Sequence, residues 1–276
     1  TPATFEDGSK TKNIPGEGTY TVAPDGTVTF VPEKSFTGTG TGVTVKRVDK
    51  NGTEITAKYT PTVTPVTPTA APAESTDIQG ATQTGKPEFT EGDSRVPMND
   101  AVPATFDDGS TTKTVDGVGT YTVAADGTVT FVPEKSFVGT APAVTVVRED
   151  KNGTKASATY TPTVTPVTPT ATPAESTGPQ GLVQTGTVTF TEGDPVAPID
   201  KDTITLLDEN GQPAASVEAK SPAGDVIGTF TVDKETGVVT FTPTDKSYSG
   251  DVVPVKVQAA DTNGTTVETT YTPKIT

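Results

Sequence analysis

GTYTVAPDGTVTFVPEKSF, from Gly18 to Phe36, returns as GTYTVAADGTVTFVPEKSF from Gly119 to Phe137, 101 residues later. In the second copy Tyr121 and Val123 alternate with Thr120, Thr122 and Ala124. Beyond Ala125-Asp126-Gly127, Val129 and Phe131 alternate with Thr128 and Thr130. Apolar residues at every second position mark a half-buried strand, and two such runs about a Gly-containing turn predict a β-hairpin. Gly127 supplies the positive φ that such turns demand. A divergent third copy, GTFTVDKETGVVTFTPTDKSY, spans Gly228–Tyr248.

The repetition extends outward. DKNGT occurs at Asp49 and Asp150 and DTNGT at Asp261; YTPTVTPVTPTA starts at Tyr59 and Tyr160, and YTP at Tyr271. Asn-Gly is a strong hairpin signal, so VTVVRED (Val144–Asp150) is expected to turn through Asn152-Gly153 into the next strand. No segment has the i, i+3, i+4, i+7 pattern of an amphipathic helix. Strands near Phe89, Phe106, Tyr121, Phe131, Val146 and Thr159 give about six or seven per repeat, the density of an Ig-like sandwich. A period near 100 is a whole small domain, not a solenoid repeat of about 20–50 residues. The expected fold is all-β: tandem Ig-like β-sandwich modules joined by Pro/Thr-rich linkers in an elongated array.

Phase sets the expected boundaries. The second and third copies open with ESTxxQGxxQTG, at Glu74 and Glu175, and continue to FTEGD at Phe89–Asp93 and Phe190–Asp194. The first copy starts at TPATF, which matches VPATF at Val102–Phe106. The expected division is therefore 1–68, a first repeat truncated at its N-terminus, 74–169, and 175–276, the divergent third repeat. On this reading the chain is a piece of a longer protein. The first copy should then show an unpaired sheet edge where the counterparts of Phe89 and Phe106 would pair. Thr60–Ala73 and Thr161–Ala174 are Pro-rich, and Pro removes an amide donor and favours extended geometry. Val66–Thr76 and Val167–Thr177 are accordingly expected to be semi-rigid spacers crossed by few contacts.

Composition excludes more than it selects. Thr alone supplies 60 of 276 residues, and β-branched side chains suit a pleated surface. With no His and no Cys, Ser-His-Asp and Cys-His catalysis, disulfides, and His- or thiolate-ligated metals are ruled out. The net charge of −15 repels phosphate backbones and anionic membranes, so neither nucleic acid nor membrane is an expected partner. No run approaches the ~20 apolar residues of a membrane helix.

The series GTYTVxxDGTVTFVPEKSFxG, VTVxRxDKNG and ATYTPTVTPVTPTA resembles the CshA-type fibril repeat of streptococcal cell-wall-anchored surface adhesins. The third copy departs from it at Phe230, at TFTP and at Tyr248. The resemblance implies an extracellular stalk on the bacterial cell surface that carries an adhesive tip away from the cell, within a protein that binds fibronectin in the host matrix or other microbial cells. It implies no catalytic residue, no cofactor-binding residue and no metal ligand, and a chain monomeric within a longer protein.

Several residues invite sharper roles. Glu91-Gly92-Asp93 and Glu192-Gly193-Asp194 offer hard oxygen ligands for calcium, but lack a multi-ligand loop; they read as turns. Asn51, Asn152 and Asn263 match the N-glycosylation acceptor pattern and read as hairpin turns. A Lys–Asn crosslink would need a buried Lys, yet Lys46 and Arg47 align with Val147 and Arg148, and Lys34, Lys135 and Lys246 follow turns. Phe36, Phe137 and Tyr248, with Phe30, Phe131 and Phe241, read as core anchors. The expected function is structural: a stalk that presents an adhesive tip. The alternative is that the repeats themselves are weak multivalent binding modules for a host matrix protein or partner cell. An enzyme is not expected.

Overall fold

The computed structural model describes residues 1–276, which form strands and turns without a helix. The second copy shows the plan most fully. One sheet runs Ala73–Ile78, Lys155–Thr165, Val144–Glu149, Thr105–Phe106, with Gly139–Thr140 also pairing onto Lys155–Thr165. The other runs Gln83–Gly85, Val129–Pro133, Gly119–Val123, Thr112–Val115. Their facing sides close on one cluster that includes Phe106, Tyr121, Val129, Phe131, Val146 and Tyr160. The chain is an Ig-like β-sandwich protein.

The hairpin legible in the repeat is present. Gly119–Val123 pairs antiparallel with Val129–Pro133, Tyr121 opposite Phe131. Their rings lie 4.7 Å apart and both are fully buried, as alternation requires. The third copy keeps the plan around its own cluster, from Val188 to Ile275. The stretch Leu206–Gly228, longer than its counterpart Thr105–Gly119, adds the strand Pro213–Ala214, while Ser216–Lys220 takes the place of Thr112–Val115. They edge the two sheets, and a groove of ≈ 570 Å³ lies among Glu209, Val217, Lys220, Phe230 and Val253.

The Pro-rich stretches are not spacers. Thr69–Ala71 pairs with Glu88–Thr90, and Thr170–Thr172 with Thr189–Thr191. Ala73–Ile78 and Ala174–Gly178 are edge strands of the sandwiches that follow them. The reason is physical: Pro is tolerated on sheet edges, and the Thr and Ala between the prolines still offer amides to a ladder.

The first copy has three-stranded sheets, Thr4–Phe5/Val43–Val48/Glu54–Tyr59 and Thr11–Ile14/Gly18–Val22/Val28–Pro32. The edges left open are Val28–Pro32 and residues 59–64, which differs from the expected place. Phe5, the counterpart of Phe106, is paired opposite Val45. The missing neighbours correspond to Gln83–Gly85 and Ala73–Ile78. With them goes burial: Val129–Pro133 alternates buried residues with more accessible ones, whereas Val28–Pro32 has no buried position. Val31 and Ile55 stand exposed in the first copy.

Candidate functional site

The opening motif ESTxxQGxxQTG, read from sequence only as a boundary marker, is a bracket around the last strand's tyrosine. The Ser75 hydroxyl donates to Gln83 Oε1 at 2.6 Å and meets the Tyr160 hydroxyl at 2.5 Å. Gln83 Nε2 donates to the Thr163 carbonyl at 2.9 Å. Gly85 faces the Tyr160 ring so closely that a Cβ there would stand 2.2 Å from Cε1. Ser176, Gln184, Gly186 and Tyr271 repeat the arrangement, with Ser176 2.7 Å from the Tyr271 hydroxyl. Burial raises the pKa of Tyr160 and of Tyr271, and the serine bond partly offsets it. Burial, then the neighbouring Tyr160, pushes Tyr121 up to about 12. The spacing between Ser75 and Gln83 carried the signal, but it needed a partner strand from the far end of the repeat.

Each Asp-x-Asn-Gly-Thr turn is closed by its aspartate. Asp150 Oδ1 accepts from the amides of Asn152 and Thr154, both at 2.9 Å, and Gly153 takes φ +83°. No non-glycine residue has positive φ, so the Asn is not left-handed and the turn is not the two-residue type that Asn-Gly signals. It is a longer turn whose single left-handed position is the glycine. Asp150 and Asp261 are buried, and their second carboxylate oxygens lack partners. Arg148 lies near Asp150 in sequence but pairs with Asp100 at 2.8 Å and lies 5.9 Å from the Phe89 ring centre.

The other candidates from sequence are placed as follows. Asp93 binds Arg95 at 2.8 Å, and that bond holds its carboxyl well below the usual range. Gly92 and Gly193 sit where a Cβ would strike the backbone of Thr67 and Thr168; each Glu-Gly-Asp turn is a packing point on the strand-to-strand connection. Lys34, Lys135 and Lys246 are exposed, and Lys46 lies 3.6 Å from Glu54. Phe131 and Phe241 are fully buried. Phe30 is half-buried, and Phe137 and Tyr248 pack partly buried against their clusters. Phe36 meets Phe30 edge-on at 6.3 Å. The Ser75 hydroxyl is committed to Gln83 and Tyr160.

The profile of the surface adhesin CshA repetitive domain matches residues 1–63, 65–164 and 166–275. The chain belongs to this CshA repeat family. The spans matched by the CshA repeat begin at 65 and 166, just ahead of the strands at Thr69 and Thr170. Repeat domain 13 of the fibrillar adhesin CshA from Streptococcus gordonii is similar at 69% identity, covering 22% of this chain and 77% of that one, with a TM-score of 0.14. Drosophila N-cadherin EC1-3 matches at 13% identity over 100% of this chain and 89% of that one, TM-score 0.31. Mouse cadherin-23 EC22-24 matches at 13% over 100% and 86%, TM-score 0.33. Comparison with curated proteins finds no match. As a CshA repeat, the chain is a surface-adhesin segment and lies outside the cell.

Proposed function

We propose that this chain is a run of stalk repeats from a cell-wall-anchored fibrillar adhesin, spacing an adhesive tip from the bacterial surface and acting without catalysis. The observation that carries the reading is the parallel pairing of first and last strands: Ala73–Ile78 on Lys155–Thr165, and Ala174–Gly178 on Thr266–Ile275. Parallel partners run the same way, so the chain enters a repeat at one pole and leaves at the other. Each copy then adds length. On this reading the modules are bounded near 1–68, 69–169 and 170–276, the Pro-rich strands belonging to the module that follows. The partners are host matrix or microbial surfaces, met through the tip of the parent protein.

Small-angle scattering on the 276-residue chain tests this. Three modules of ~40 Å, less the shorter first, predict a rod on the order of 100–130 Å. A compact particle with sandwiches side by side overturns it.

A further inference from the structure

The three Asp-x-Asn-Gly-Thr turns share one internal geometry but not one environment. Asn51 is exposed, Asn152 is half-buried, and Asn263 is 8% exposed. The turn itself does not cause the difference. Asp261 Oδ1 accepts from Asn263 N at 3.0 Å and Thr265 N at 2.9 Å, as Asp49 and Asp150 do in theirs, and the asparagine side chain takes no part. What covers Asn263 is the loop that ends the strand Ala73–Ile78 of the preceding repeat. Asn263 Nδ2 donates to the Gln79 carbonyl at 3.4 Å. Asn263 Oδ1 lies 2.7 Å from the point a Cβ on Gly80 would occupy.

The seat is itself fixed. Gln79 is 4% exposed. Its amide donates to the Thr165 carbonyl at 2.8 Å, and its Nε2 to the Lys135 carbonyl at 2.8 Å. Its Oε1 accepts from Val167 N at 3.1 Å, on the segment leading into the third repeat. Gly80 is required twice, for φ +83° and for the space Asn263 fills. A single long hydrogen bond would hold little between free molecules. Between tethered repeats the effective concentration is high, and a weak contact suffices to select one arrangement.

We propose that Gln79-Gly80 is a docking seat for the asparagine of the next repeat's Asp-x-Asn-Gly-Thr turn, a pin that sets the angle between the second and third repeats. The partner that this surface fits is another repeat of the same family. The third repeat carries a second seat of this kind. Gln180 N donates to the Thr276 carbonyl at 3.1 Å and its Nε2 bonds the Ser247 carbonyl, while Gly181 takes φ +76°. Leu182 and Val183, each 57% exposed, flank it. The pin refines the stalk reading, on which it rests: it holds the junction between the second and third repeats in one arrangement.

The test uses the full chain, which has no cysteine of its own, with spin labels at Thr114→Cys and Glu218→Cys, both exposed. Electron–electron distance measurement should give one narrow population. Asn263→Ala should make it about twice as wide by releasing alternative orientations, whereas Asn152→Ala leaves it unchanged. Asn263→Asp, which keeps the size but removes the donor, should act like Asn263→Ala and serves if the alanine variant folds poorly. A broad population in the parent, or an unchanged width in Asn263→Ala and Asn263→Asp, overturns the pin. Neither result alters the particle length on which the stalk reading is judged.

Discussion

Ala73 lies opposite Tyr160 in a parallel pair, so the first full strand and the last strand of the second repeat point the same way. In an otherwise antiparallel sandwich this one pairing places entry and exit at opposite poles. It also delivers Ser75 to the Tyr160 hydroxyl. The same edge strand thus ties the sheet edge to the core tyrosine.

Ser75→Ala should destabilise the second repeat by about 1–3 kcal/mol, the usual cost of leaving buried polar partners unpaired. Gln83 Oε1 and the Tyr160 hydroxyl both lose the serine. Hydrogen exchange resolved by repeat checks this; equal protection in variant and parent would refute the bracket.

Gly85→Ala should cost about 1–3 kcal/mol through overpacking, because the Tyr160 ring already occupies the space. The same sign is expected for Gly186→Ala against Tyr271. Scanning calorimetry showing no fall in Tm for either variant would contradict the close approach.

Phe131→Ala should cost about 3–5 kcal/mol as a fully buried ring, and Thr130→Ala, on the opposite face, far less. Phe30→Ala, the same change in the first repeat, should cost less than Phe131→Ala because Phe30 is half-buried beside an open edge. Amides of Thr62 and Val63 should likewise exchange faster than those of Thr163 and Val164, which have a strand on either side. Equal losses at Phe131 and Thr130 would refute the alternation; equal exchange would refute the open edge.

Stability should fall on the alkaline side. Tyr121 donates to the Pro142 carbonyl at 2.7 Å, and burial lifts its pKa from 10.0 to about 12. As pH climbs past 10 the unfolded chain loses this proton before the folded one, so the contribution is complete below 10 and is lost as pH rises through about 12. Tm measured across that range should decline with tyrosinate absorbance, less steeply in Tyr121→Phe. A flat Tm would show the hydroxyl to be solvated.

Much of the fold is written locally. Period-two alternation and glycine at the turns fix the hairpin Gly119–Pro133, because each strand need only show one face to a core and its partner is close in sequence. The copy number, the β class and the family follow from residues repeated at constant spacing. The site-forming contacts do not. Val66–Thr76 reads as a Pro-rich spacer, since nothing within it reveals that Tyr160 waits at the far end of the repeat. Asn51, Asn152 and Asn263 are the same residue in the same turn, and local sequence assigns all three one fate. Only the meeting of Asn263 with Gln79 and Gly80 separates them, because burial depends on which surface the tertiary structure brings against a turn.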